Sequence, residues 1–239
     1  MSNTYFQFKQ FTIHQEHCAM KVCTDACLFG AWVGEKVTSM KYGVRTVLDI
    51  GTGTGLLSLM LAQKTNARID AVEIDEAAAS QAAENMDASP WKERLQVICA
   101  DVRTVHLGKQ YDLIISNPPF FENDLKGADE KRNLALHGDA LGFEELLATI
   151  SKHLGDEGLF ALLLPYHRKE QLIALAIQSG FFLWNEVSVQ QTPVHAFFRS
   201  MLLFGRKEVP VLSSTIIIRD DEGYTGEFTK LLSEYYLKL

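Results

Sequence analysis

The 239-residue chain has no apolar run long enough to cross a membrane: stretches such as Leu159 to Leu164 last a handful of residues, against the roughly 20 that a helical span needs. The opening Met1-Ser2-Asn3-Thr4-Tyr5-Phe6-Gln7-Phe8 has neither the basic start nor the apolar stretch of an export signal, so the cytoplasm is the expected compartment. Cysteine is scarce. Cys18, Cys23, Cys27 and Cys99 form no C-x-x-C pair, and the seven histidines form neither H-x-x-x-H nor H-E-x-x-H. No metal is expected, and the thiols are expected to be reduced and packed as small apolar side chains. With six prolines there is no proline-rich linker, and no repeat or low-complexity tract is visible. A single domain over 1–239 is the simplest reading, with residues 1–44 as an extension and 45–239 as the core. Basic charge is not in excess either: 23 Lys plus Arg stand against 30 Asp plus Glu, for a net charge of -7. Taken alone, this argues against non-specific attachment to nucleic acid. The 47% hydrophobic content excludes disorder, collagen and coiled coil and suffices for a continuous core.

What is present is an alternation of apolar runs and amphipathic segments, the pattern of a parallel sheet with crossover helices. Strands are predicted at Thr46–Ile50, Arg68–Glu73, Leu95–Cys99, Tyr111–Ser116 and Leu159–Leu164, the last entered through the turn Gly155-Asp156-Glu157-Gly158. Helices are predicted at Asp25–Val33, Gly55–Lys64, Glu76–Ala88, Phe143–Leu154 and Glu227–Leu239. Phe181–Gln190, Phe197–Phe204 and Val211–Arg219 read as three strands whose short connections suggest antiparallel neighbours. The aromatic-rich start, Tyr5 to Ile13, reads as a short hairpin or edge strand. The fold class is α/β, a mostly parallel sheet of seven strands with antiparallel strands at its C-terminal end and helices on both faces.

Asp49-Ile50-Gly51-Thr52-Gly53-Thr54-Gly55 places a glycine-rich turn between a predicted strand and a predicted helix. Such a turn lets a ligand approach the main chain closely. A dinucleotide turn usually reads G-x-G-x-x-G; here the order is G-x-G-x-G, and Asp49 suits a cofactor that carries an ammonium and a sulfonium better than a pyrophosphate. Glu73, at the next strand end, can accept from ribose hydroxyls and is preferred over the nearby Asp75. Asp101 follows the third strand and can accept from an adenine amino group or cap the segment after it. Asn117-Pro118-Pro119-Phe120 follows the fourth strand. An Asn side-chain carbonyl and the Pro118 backbone carbonyl can accept both protons of an exocyclic amino group, which favours a nucleophilic nitrogen, while Phe120 can stack on the base.

This set resembles the class I S-adenosylmethionine-dependent methyltransferases that modify amino nitrogens, with their Rossmann-like fold. Together with Phe8-Lys9-Gln10-Phe11, the run Met20 to Trp32 and Ser89-Pro90-Trp91, it resembles the bacterial tRNA1(Val) adenine N6-methyltransferase family over nearly the whole chain. The family often has Gly where this chain has Cys23 and Ala26, and commonly Tyr at Phe120, where Phe keeps the stacking face. The resemblance implies S-adenosylmethionine as cofactor and tRNA as partner, with the anticodon-loop adenine at position 37 as target. It implies cofactor contacts at Lys21, Thr24, Asp25, Asp49, Gly51, Gly53, Gly55, Glu73, Ile74, Asp101, Val102 and Asn117. Asn117, Pro118, Pro119 and Phe120 would hold the adenine.

Residues 121–142 are too long for an ordinary connection and carry Lys126, Lys131, Arg132 and His137, which read as an RNA-contacting loop. His195, Arg199 and the pair Arg206-Lys207 are further candidate phosphate contacts, or surface ion pairs. The negative charge is uneven: residues 1–47 carry five basic against three acidic side chains, residues 48–160 ten against nineteen, and residues 161–239 eight of each. The acidic excess thus falls where a cationic cofactor would bind, and the flanks can face phosphate. Direct methyl transfer is expected, since no cysteine lies in the Asn117 to Phe120 motif. A monomer, independent of membrane and metal, is expected. The rival readings are an N5-glutamine methyltransferase of release factors, whose relatives carry a longer helical N-terminal domain, and a non-catalytic RNA-binding relative.

Overall fold

The computed structural model describes residues 3–18, 20–39, 43–118 and 142–239. The chain opens with β1 (Tyr5–Gln7) and β2 (Thr12–His14), an antiparallel hairpin in which Phe6 faces Ile13. Next comes α1 (Thr24–Thr38), which runs past the predicted end at Val33. Gly34 does not stop it, because that glycine serves close packing: a Cβ there would lie 3.1 Å from Lys64 Cγ and from the Tyr235 hydroxyl.

The core then proceeds through β3 (Thr46–Ile50), α2 (Leu56–Lys64), β4 (Arg68–Glu73), α3 (Glu76–Asp87), β5 (Leu95–Cys99), β6 (Tyr111–Ser116), α4 (Phe143–His153) and β7 (Leu154–Pro165). The last third supplies α5 (Lys169–Gln178), β8 (Phe182–Gln190), β9 (Phe197–Gly205), β10 (Leu212–Ile217), the small hairpin β11 (Arg219–Asp220) with β12 (Gly223–Tyr224), and α6 (Gly226–Leu232). The main sheet has the order β10-β8-β9-β7-β6-β3-β4-β5. Strands alternate their side chains between two apolar clusters. Val47, Ile69, Leu113, Ala161 and Met201 pack with α1, α2 and α6 on one face; Leu48, Val72, Ile114, Phe160 and Leu202 pack with α4 and α5 on the other.

The mixed α/β architecture is the one expected, with three corrections. The sheet has eight strands rather than seven. Only β9 runs against its neighbours, β7 and β8, while β10 pairs parallel with β8. A short connection reverses the chain direction, and β10 does run opposite to β9; it does not dictate adjacency, and β10 steps over β8 to the free edge. Third, β7 begins at Leu154, the last residue of the predicted helix, and takes in the whole predicted turn. A Cβ on Gly158 would lie 2.8 Å from the Tyr111 carbonyl, and the register with β6 shifts between Tyr111 and Leu113, so this glycine marks a close strand approach at an irregularity. The last helix also ends at Leu232, seven residues before its predicted end. No helix among the described residues is long and apolar enough to cross a membrane.

Candidate active site

The register of the parallel strands builds the site. Ile50 lies beside Val72 and Ser116, and Glu73 lies beside Cys99. The carboxyl ends of β6, β3, β4 and β5 therefore form one rim, carrying Asn117, Gly51, Glu73 with Ile74, and Asp101 with Val102. From β3 the chain winds outward through β4 to β5 and then returns to β6 on the other flank. This is the switch point at which open α/β sheets form a ligand crevice.

In the glycine-rich turn, Gly51, Gly53 and Gly55 have φ of 70°, 55° and 82°, a region that side chains disfavour. A Cβ on Gly51 or Gly53 would meet no atom within 4 Å, so the main chain there borders open space. Asp49 is fully buried. Its Oδ2 accepts from the Thr52 hydroxyl at 2.7 Å and the Ser58 hydroxyl at 2.8 Å, which brace the turn and the start of α2. Its Oδ1 is buried with no hydrogen-bond partner among the described residues. Burial pushes this carboxyl up to about 6, against the pull of the two hydroxyls.

Glu73 reaches across to the turn. Its Oε2 accepts the Gly53 N–H at 2.8 Å, and its Oε1 accepts the N–H groups of Ile74 at 2.9 Å and Asp75 at 3.1 Å. A carboxylate offers about four acceptor positions, so a first ribose hydroxyl finds a free one and a second shares an oxygen with an N–H. Asp75 instead caps α3 by accepting from Ala78 N–H at 2.8 Å. Asp101 starts a turn, not a helix: Thr104 and Val105 N–H groups donate to its carbonyl. Both of its carboxylate oxygens accept from the Arg103 side chain, and this ion pair lowers its pKa. An adenine amino group has to share these oxygens with Arg103.

Asn117 is half-buried directly beyond Ser116, whose hydroxyl donates to the Ile50 carbonyl at 2.7 Å and ties β6 to β3. No hydrogen bond of the Asn117 side chain is formed among the described residues, and Pro118 is buried beside it. Pro119 and Phe120, and with them Lys126, Lys131, Arg132 and His137, lie outside the described residues.

Lys21 and Thr24 are exposed just before and at the start of α1. Arg199, read as a phosphate contact or a surface ion pair, donates from Nε to Asp25 Oδ2 at 2.7 Å. Since Arg199 pairs with Pro165 at the end of β7, this ion pair brings the start of α1 to the rim. His195 lies exposed in the β8–β9 turn on the same rim, its Nδ1 at 2.6 Å from the Thr192 hydroxyl. Arg206 and Lys207 lie at the opposite end of β9, where Arg206 donates to the carbonyls of Ser151 and Leu154 and Lys207 pairs with Glu157. They cannot serve the rim. All four cysteines are free; Cys99 is exposed on the edge strand rather than packed. Among the described residues no His, Cys, Asp and Glu group is arranged to hold a metal. Sequence reasoning missed Gln81 and Asn85, whose signal was two polar residues interrupting the buried face of an alanine-rich helix.

A cationic cofactor fits these residues: the turn offers open main chain, and the buried Asp49 oxygen lacks a donor. A family model, the methyltransferase small domain, matches residues 36–137. The tRNA1(Val) (adenine(37)-N6)-methyltransferase of Dyadobacter fermentans is 41% identical over 99% of this chain and 98% of its own length. That of Tolumonas auensis is 42% identical over 100% of this chain and 99% of its own. The chain belongs to the tRNA1(Val) (adenine(37)-N6)-methyltransferase family. Among solved structures, a predicted O-methyltransferase of Agrobacterium tumefaciens aligns with a TM-score of 0.66 at 17% identity, covering 88% of this chain and 96% of that one. A glycopeptide N-methyltransferase complexed with S-adenosyl-L-methionine aligns at 0.56 and 12% identity, covering 77% and 95%. These two share the class I fold. The cofactor of this family member is S-adenosyl-L-methionine.

Proposed function

We propose that this protein methylates N6 of adenosine 37 in the anticodon loop of tRNA1(Val), in the cytoplasm and as a monomer. The supporting observation is the roughly two-fifths identity to curated family members over essentially the full length, with Asn117 and Pro118 standing beside the cofactor turn. Residues 1–44 act with 45–239 as one unit in this reading, since Phe8, Phe11 and Ile13 share an apolar cluster with Phe228 and Tyr235.

S-adenosyl-L-methionine, when bound, supplies an electrophilic methyl group. Gly51, Gly53 and Gly55 would let it approach the main chain, Glu73 would accept from its ribose, Asp101 with Val102 and Ile74 would border its base, and Asp49 would supply negative charge toward its cationic end. Lys21, Thr24 and Asp25 cover it. Asn117 Oδ1 and the Pro118 carbonyl accept the two amino protons of the target adenine, which draws them out of the ring plane and localises the nitrogen lone pair. Phe120 would stack on the base. Lys126, Lys131, Arg132 and His195 meet RNA phosphate; Arg199, committed to Asp25, does not.

Incubation with labelled cofactor and unmodified total tRNA, followed by mapping of the label, tests this. Label at adenosine 37 of tRNA1(Val) is expected. Label on a release factor with none on RNA overturns it, and a protein that fails to bind the cofactor by calorimetry is a non-catalytic relative.

A further inference from the structure

Asn85, on α3, is 1% exposed and uses both of its amide donors. One N–H donates to the His14 carbonyl at 2.8 Å and the other to the Thr54 carbonyl at 2.9 Å, while Oδ1 accepts the His14 N–H at 2.8 Å. Thr54 sits between two glycines of positive φ in the cofactor turn, and His14 ends the second strand of the N-terminal hairpin. A single side chain thus grips two segments distant in sequence. The contact is tight: a Cβ on Gly55 would lie 3.2 Å from Met86 Cε, beside Asn85 on the helix. One helical turn earlier, Gln81 Oε1 accepts the His17 N–H at 3.4 Å, so residues 14–17 run along α3. The following Cys18 is buried, and burial first, then the charges of Glu73 and Asp75, pushes its thiol up to about 11.

We propose that Asn85 is a positioning residue for cofactor binding: by holding the Thr54 carbonyl and the His14 peptide together, it links the shape of the glycine-rich turn to the seating of residues 14–17 against α3. This rests on the turn being the cofactor's seat. Releasing Asn85 frees both segments at once. The effect falls on cofactor affinity and not on the amino-group acceptors at Asn117 and Pro118, which hang from a different strand.

The decisive variant is Asn85→Asp, similar in shape but without amide donors and with charge facing two carbonyls. Calorimetry with S-adenosyl-L-methionine alone, without RNA, should show binding weakened by about tenfold, the scale of a buried hydrogen-bonded group left without its partners. Amide hydrogen exchange should quicken together at residues 12–18 and 52–56. At saturating cofactor, turnover and the KM for tRNA should stay within about twofold, because the lost interactions do not touch the reacting atoms. Unchanged affinity overturns the proposal. So does faster exchange confined to the hairpin, or a fall in turnover with cofactor KM unchanged. If Asn85→Asp does not fold, Gln81→Met detaches the His17 N–H and, within α3 itself, the 3.2 Å bond from Gln81 Nε2 to Glu84 Oε2. It should weaken cofactor binding by about threefold, as one long hydrogen bond warrants, and no change overturns the proposal. A wild-type protein that binds no cofactor would instead sink the reading of the turn.

Discussion

Arg199 Nε donates to Asp25 Oδ2 at 2.7 Å, joining the first strand residues beyond the β8–β9 turn to the start of α1 across 174 positions of sequence. The side chains are 33% and 14% exposed, so solvent screens the pair only in part. If Arg199 acts by holding α1 in place, Arg199→Ala and Asp25→Asn should weaken cofactor binding to a similar degree. A double-mutant cycle should return a coupling of about 1 kcal/mol or less. A loss seen only in tRNA affinity, shrinking as salt rises and absent in Asp25→Asn, would restore Arg199 as a phosphate contact.

If Asn117 holds the target amino group, it bears on the chemical step more than on cofactor binding. Asn117→Ala should lower kcat by about 100-fold, the scale reported for removing one positioned polar partner of a reacting group, with cofactor affinity nearly unchanged. Calorimetry beside single-turnover kinetics checks the split. Equal losses in both would remove Asn117 from the amino-acceptor role.

Asp49 gives a pH dependence of definite sign. Its folded value of about 6 lies above its ordinary 3.8, so the folded protein holds this proton more tightly than the unfolded chain. That contribution to stability is complete below pH 3.8 and is lost as the pH rises through about 6. Relative to Asp49→Asn, the wild type should lose denaturation midpoint between those values. Over the same range its affinity for the cationic cofactor should improve, and that of the variant should stay flat. Parallel urea titrations and calorimetry at several pH values measure both.

His153 has the opposite sign. It ends α4, is 3% exposed, and its Nε2 has no partner among the described residues. Burial first, then the charges of Lys152 and His106, lower its pKa from 6.5. The unfolded chain therefore takes up this proton first, and stability falls as the pH drops below 6.5. His153→Phe should flatten that part of the acid limb. An unchanged pH profile in thermal melts would show that His153 does not titrate on unfolding.

Much of the parallel core was legible because its strands are short, apolar and bounded by helices: Thr46–Ile50, Arg68–Glu73, Leu95–Cys99 and Tyr111–Ser116 match the predicted limits. The motif ends followed, since a residue just past a strand must lie on the rim. Long-range pairing was not legible. Nothing local marks Arg199 as the partner of Asp25, and connection length could not show that β10 steps over β8. The helix Lys169–Gln178 went unread because Leu172-Ile173-Ala174-Leu175-Ala176-Ile177 is apolar almost throughout and shows little periodicity. In Asp101 a very local partner, Arg103, competes for the oxygens a ligand would need.

The hairpin that Asn85 grips is held from behind by the other end of the chain. Lys9 N–H donates to the Tyr235 carbonyl at 2.8 Å, Phe8 bridges to Tyr236, and the Tyr235 hydroxyl donates to the Met60 carbonyl at 3.1 Å. During synthesis, then, residues 5–14 emerge long before the segment that seats them. The sheet can assemble from Arg45 onward, but the hairpin waits for residues 233–236. A chain cut after Leu232 should fold its sheet and still leave Tyr5 to His14 open to protease.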